Sequence, residues 1–137
     1  LSNIHPITVI YSGSKMPTPQ VIRAVEESRS AFPKIYDAIY DAMDQSAELA
    51  ATAINDSDWQ VVGNLLNINQ GLMDAIGVNN QQLSRIVNSM RNDAGILGAK
   101  ISGSGLGDCV VGLGKSGADV GFHKIPIAMS STGVWID

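Results

Sequence analysis

The chain has 137 residues, 45% of them apolar and 16% charged, with a net charge of −4. That balance fits one globular domain with its own core and excludes a disordered chain. The acidic charge and the lack of a lysine–arginine cluster exclude nucleic acid as a partner, and no run of about 18 apolar residues exists to span a membrane. The single cysteine, Cys109, rules out an internal disulfide and fits a reducing, cytoplasmic setting. The first residues, Leu1 to Pro6, do not read as a signal peptide. The chain opens on a leucine just before a strand, as a piece of a longer protein would.

The β-branched run 7–11 reads as a buried strand, bounded by Pro6 and Ser12-Gly13. Thr18-Pro19 reads as a helix start with threonine as the N-cap, and Val21, Ile22, Val25 and Phe32 fall near one face. Pro33 ends or kinks that helix. A second helix is expected over 33–54, with Ile35, Ile39, Leu49, Ala50 and Ile54 on its apolar face and Asp37, Asp41, Asp44 and Glu48 on a solvated one. A third is expected over 58–76, with Val62, Leu65, Leu66, Leu72, Met73 and Ile76 as its stripe and Gly77 behind it. Asn69 sits in that stripe where the spacing calls for an apolar residue, which by itself reads as a core amide bonded to backbone. Asn79 or Asn80 starts a fourth helix carrying Leu83, Ile86, Val87 and Met90. Strands are expected over 99–102, 109–113, 125–129 and 134–136. The order of strand, helices, then strands implies an α+β fold, ferredoxin-like, with an antiparallel sheet of about four strands and helices packed on one face.

The stretch most suited to a site joins two of those strands. Ser102-Gly103-Ser104-Gly105-Leu106-Gly107-Asp108 holds three glycines in five positions, with two hydroxyls and a carboxylate beside them. It is not a P-loop, which would end in Gly-Lys-Ser/Thr and enter a helix, nor a dinucleotide loop, which also enters a helix. Two readings stand: a glycine-rich hairpin, or a loop whose amides complete an anion site. Cys109, at the start of the following strand, reads as a small buried hydrophobe. His5 and His123 have no ligand spacing, and no metal site is expected.

Residues Gly98-Ala99-Lys100-Ile101-Ser102-Gly103-Ser104-Gly105-Leu106-Gly107-Asp108-Cys109 resemble the C-terminal glycine motif of the GHMP small-molecule kinases in its mevalonate kinase form, Gly-Ala-Lys-Leu-Thr-Gly-Ala-Gly-Gly-Gly-Gly-Cys. Leu66-Asn67-Ile68-Asn69-Gln70, followed by Ile76-Gly77-Val78 and Leu83, resembles the family's Met-Asn-x-Asn-Gln helix. Tyr11-Ser12-Gly13-Ser14-Lys15-Met16-Pro17-Thr18 is similar to the segment where its C-terminal half begins. The three matches lie in the family's order and span nearly the whole chain. The chain departs from the motif at Leu106, which is expected to narrow the loop, and at Asp108. Met16 stands where the family often has an arginine, leaving Lys15 as the nearest cation.

The resemblance implies that residues 1–137 form a single C-terminal domain, with the N-terminal ATP-binding domain absent from this chain. It implies transfer of a phosphoryl group from ATP, with Mg2+, to the hydroxyl of mevalonate in isoprenoid precursor synthesis. Phosphomevalonate or another GHMP acceptor is the alternative, and a non-catalytic ligand-binding or regulatory domain of the same fold is the rival. It implies acceptor contacts at Thr18, Lys15 and Asn69, and a loop near the phosphates at Ser102, Gly103, Ser104, Gly105, Leu106, Gly107 and Asp108. Asp108 is expected to brace that loop. The catalytic residues, ATP and metal would belong to the missing domain, so no catalytic residue, cofactor or activity is expected in this chain alone. A cleft face without its other half would expose apolar surface and favour a homodimer.

Overall fold

The computed structural model describes residues 4–117 and 121–132. Its elements are β1 (Ile7–Tyr11), α1 (Thr18–Ala31), α2 (Pro33–Asn55), α3 (Trp59–Ala75), α4 (Gln81–Arg91), β2 (Ile96–Ser102), β3 (Cys109–Gly114) and β4 (His123–Ile125). The strands form one antiparallel sheet in the order β2-β3-β1-β4. This is the expected α+β, ferredoxin-like arrangement. The expected strand 125–129 shrinks to a three-residue β4 that ends at Ile125. The expected strand 134–136 lies outside the described residues.

Strand alternation sends Ile10, Ala99, Ile101 and Val110 to one face of the sheet. There they meet Leu83, Ile86, Val87 and Met90 of α4, together with Val21, Met73 and Val78, in the main core. Helix α4 begins where the sequence suggests: Asn80 is the N-cap, its side-chain oxygen accepting the Leu83 N–H at 2.9 Å. Asp58 caps α3 in the same way, accepting from Val61 at 3.1 Å. Helix α1 differs from its expectation. Pro17 takes the N-cap position without a side-chain cap, and Thr18 is the first helical residue. Of its expected apolar face, Val21 is buried, whereas Ile22 and Phe32 are exposed. Helix α2 buries Tyr36, Ser46 and Ala53, while Ile35 and Leu49 face solvent. This long helix meets chiefly α3 through one stripe, in which Ile39, Met43, Ala50 and Ile54 are half-buried beside Tyr36, Ser46 and Ala53.

Helix α3 lies along β2, the strand at the edge of the sheet. An edge strand leaves every second backbone N–H unpaired. Asn67 Oδ1 accepts the Ala99 N–H at 3.1 Å, and Gln70 Oε1 accepts the Ile101 N–H at 2.7 Å. The three-residue spacing puts both amides on the same side of the helix. Two facing glycines allow this approach. A Cβ on Gly63 would lie 2.6 Å from Leu97 O, and one on Gly98 would lie 2.6 Å from the Gly63 carbonyl carbon. Arg91 closes the junction, donating to Asn67 O and Ala99 O, both at 3.1 Å. A smaller cluster of Ala53, Val62 and Leu113, with Ile7, Ile54, Trp59, Leu66 and Leu97 around it, packs on the opposite face of the sheet.

Candidate functional site

The hairpin between β2 and β3 carries residues 103–108, and Ser102 pairs with Cys109 at its base. Gly103, Gly105, Leu106, Gly107 and Asp108 all have positive φ, so five of these six residues are left-handed. For Leu106 (φ 53°) and Asp108 (φ 69°) this costs on the order of 1 kcal/mol each. The surrounding backbone holds them there. Leu106 N–H donates to Val78 O at 2.7 Å, Asp108 N–H donates to Ser14 O at 2.7 Å, and Ser12 N–H donates to Asp108 O at 2.8 Å. The hairpin is thus clamped between the α3–α4 connection and the β1–α1 turn. Side chains at two of its glycines would break the clamp: a Cβ on Gly105 would sit 2.7 Å from Val78 Cβ, and one on Gly107 2.6 Å from Ser14 O. Leu106 does not narrow the loop. Its side chain packs against the main core and anchors the loop from below.

Four polar side chains expected at the site meet around this hairpin, in two pairs. Thr18 Oγ1 lies 3.4 Å from Ser104 Oγ. That separation is too long for a strong hydroxyl–hydroxyl bond, so both oxygens keep donor and acceptor capacity for a third group. The threonine expected to cap α1 instead turns its hydroxyl to the loop. Lys15 Nζ forms an ion pair with Asp108 Oδ2 at 2.8 Å, and Cys109 Sγ lies 3.5 Å from Asp108 Oδ1. The hydrogen bond to Asp108 raises the Lys15 pKa, and the bond from Lys15 lowers that of Asp108 against a smaller opposing effect of burial. Burial first, then the Asp108 carboxylate, pushes the Cys109 thiol up, which suits a structural cysteine more than a nucleophile. Beside Ser104 opens a recess of about 270 Å3, walled by Val21, Ile22, Val25, Tyr40, Ile76 and Val78, with the Glu26 side chain also in its lining. It is a largely apolar hollow with the Ser104 and Tyr40 hydroxyls and the Glu26 carboxylate among its lining.

Asn69 is placed elsewhere. Its Nδ2 reaches Ser46 Oγ at 3.4 Å, and it lines a second recess with Leu65, Leu66 and Lys100 between α2, α3 and β2. The buried amide of α3 is its neighbour Gln70, only 4% exposed. Asn67 and Gln70 were not singled out from the sequence. The signal that finds them is a pair of amides three apart on a helix that flanks an edge strand. Among the described residues, no three His, Cys, Asp or Glu side chains gather as a metal site, and no helix is long and apolar enough to cross a membrane.

The site is thus a glycine hairpin clamped at one end of a ferredoxin-like sheet, with Thr18 of α1 beside Ser104 of the hairpin. The family model described as GHMP kinases C terminal matches residues 50–122. The mevalonate kinase of Thermococcus sibiricus is 38% identical over 113 residues, covering 79% of this chain and 34% of that protein. The mevalonate kinase of Aeropyrum pernix is 35% identical over 111 residues, covering 81% and 34%. The crystal structure of L. major mevalonate kinase in complex with R-mevalonate superimposes with a TM-score of 0.78 at 31% identity, covering 82% of this chain and 34% of that one. The chain belongs to the GHMP kinase family, as a C-terminal domain of mevalonate kinase-like type. It spans about a third of the length of the relatives it matches.

Proposed function

We propose that this chain is the acceptor-side half of an ATP-dependent, cytoplasmic kinase that phosphorylates the hydroxyl of mevalonate, the other half supplying the ATP site. The observation that carries this reading is the approach of the Thr18 hydroxyl, at the start of α1, to 3.4 Å from that of Ser104, on a hairpin clamped by three backbone hydrogen bonds. Phosphoryl transfer depends on holding donor and acceptor in line and on neutralising phosphate charge, so a rigid loop with preset hydroxyls suits it. Thr18 and Ser104 would bind a polar group of the acceptor, and the apolar recess beside them would take its alkyl part. The Leu106 and Asp108 amides are already engaged by Val78 and Ser14. Anion contacts would therefore come from the remaining amides of Gly103, Ser104, Gly105 and Gly107, with Ser102 at the loop's base. Lys15 stands at the margin of this site through its pairing with Asp108. Asn69, which reaches Ser46 in the separate recess between α2, α3 and β2, takes no part in this reading.

ATP and Mg2+ would be the cofactors of the whole enzyme, Mg2+ offsetting the phosphate charge. The loop offers one carboxylate, Asp108, and Lys15 already pairs with it, so the magnesium ligands would come from the other half. The test is turnover of ATP with mevalonate, and separately with phosphomevalonate, by the chain joined to its ATP-binding half. Mevalonate is expected as the better acceptor, with Thr18→Ala lowering kcat/KM for it about tenfold and the isolated chain inactive. A whole protein that turns over neither acceptor would refute the reading and favour a binding module. Turnover by the isolated chain near the whole enzyme's rate would refute the division of labour.

A further inference from the structure

Asp108 poses a question that the backbone does not answer. It occupies a left-handed position at the end of a loop otherwise rich in glycine, and its backbone N–H and C=O make the bonds that any residue could make there. Its side chain adds a negative charge to a loop that, in the function proposed above, faces phosphate. Coulomb repulsion makes that arrangement unfavourable unless a cation stands beside the carboxylate. Lys15 is that cation, at 2.8 Å, on the same turn whose Ser12 and Ser14 hold the Asp108 backbone. Among the described residues, the carboxylate's other polar contact is the Cys109 thiol. The Lys15 side chain is 57% exposed and that of Asp108 30%, so the pair lies at the surface of the site.

We propose that Lys15 is the built-in counter-ion of the glycine loop: it neutralises Asp108 so that the loop can approach an anionic group, and it does not itself bind the substrate. Lys15 is then a positioning residue, acting through Asp108. The inference rests on the kinase reading, and it separates two roles for the lysine that simple removal would confuse.

The experiment compares wild type, Lys15→Ala, Asp108→Asn and the double variant in the chain joined to its ATP-binding half, assayed with ATP and mevalonate. Asparagine keeps the shape of aspartate and tolerates the left-handed backbone. One uncompensated charge about 6 Å from an anion, at an effective dielectric of about 40, corresponds to about a tenfold change. Lys15→Ala is therefore expected to lower kcat/KM about tenfold, mainly through KM. Asp108→Asn is expected to lower KM for the anionic substrates severalfold, because Lys15 is left uncompensated. The double variant is expected to recover to within about threefold of wild type, a rescue that a purely structural lysine would not show. Lys15→Gln, which keeps most of the side chain, should follow Lys15→Ala and guards against a folding artefact. A double variant as impaired as Lys15→Ala would overturn the proposal, because it would mean that Lys15 touches substrate. Wild-type kinetics in Lys15→Ala would overturn it equally. An inactive wild-type protein would remove the kinase reading itself before any variant is compared.

Discussion

Replacing Gly98 by alanine tests the junction on which the sheet edge depends. The added Cβ would lie 2.6 Å from the Gly63 carbonyl carbon and 2.8 Å from Gly63 Cα, and nearer still to the carbonyl oxygen. All three are backbone atoms, so no rotamer change relieves the overlap. Carbon atoms rest about 3.5–4.0 Å apart, so α3 must retreat by about 1 Å. That retreat stretches the Asn67–Ala99 bond from 3.1 Å and the Gln70–Ile101 bond from 2.7 Å toward or past the limit of a hydrogen bond. Each buried donor left unpaired costs about 1–3 kcal/mol, and the overpacking about 1–3 more. Gly98→Ala is therefore expected to destabilise by about 3–9 kcal/mol, comparable to the roughly 5–15 kcal/mol of an ordinary domain. Urea unfolding of the 137-residue chain reads this as a fall in midpoint at constant slope. Gly71→Ala is the control in the same helix. Its Cβ would meet nothing within 4 Å, and it should stabilise by about 0.5–1 kcal/mol. A loss below about 1 kcal/mol in Gly98→Ala would mean that α3 does not lie against β2 as described.

Leu106→Ala should cost about 1–2 kcal/mol in the same assay, because it removes packing against the core but keeps the left-handed backbone. Leu106→Gly should be the milder change, since glycine relieves that backbone, and the reverse order would show that residue 106 is not held left-handed. The Asp108 carboxyl should titrate below the ordinary aspartate range by 13C NMR, and Lys15→Ala should move it upward. Its folded pKa is depressed, so the pair's contribution to stability is fully present above the unfolded value of about 3.9 and is lost as pH falls through the folded one. The contribution is small because the pair is exposed, and an Asp108 titration unmoved by Lys15→Ala would contradict the ion pair.

Much of the fold is legible in the sequence wherever one period dominates. β1 stands out as a β-branched run, α4 through Leu83, Ile86, Val87 and Met90, and the helix starts through Asp58 and Asn80. What was not legible involves surfaces that meet two partners or none. Helix α2 keeps Ile39, Ala50 and Ile54 of its expected face half-buried, but Ile35 and Leu49 fall outside the stripe that meets α3 and face solvent. In α3 the stripe drew attention to Asn69. The amide that the fold needs is Gln70, because a strand edge requires acceptors, and hydrophobic periodicity does not register that need. Thr18 misled for a related reason. A threonine before a proline suits an N-cap, but the loop 86 residues later offers its hydroxyl the Ser104 oxygen. The glycine loop was found from sequence, while the direction of its side chains was not.

Those directions follow from the clamp. Val78 and Ser14 fix Leu106 and Asp108 by their N–H groups, and with residues 105–108 all at positive φ this sets the side-chain exits. Leu106 exits toward the core, Asp108 toward Lys15, and Ser104 toward Thr18. Each of these non-glycine residues therefore has a different partner element: the core, the β1–α1 turn and the first turn of α1. A change at one should leave the other two in place as long as the three backbone bonds hold. The loop's shape is set by its surroundings, and its side chains are left to tune charge and hydrogen bonding at the site. On this reading Ser104 and Asp108 can differ from alanine and glycine without loss of the fold, because nothing in the clamp depends on either side chain.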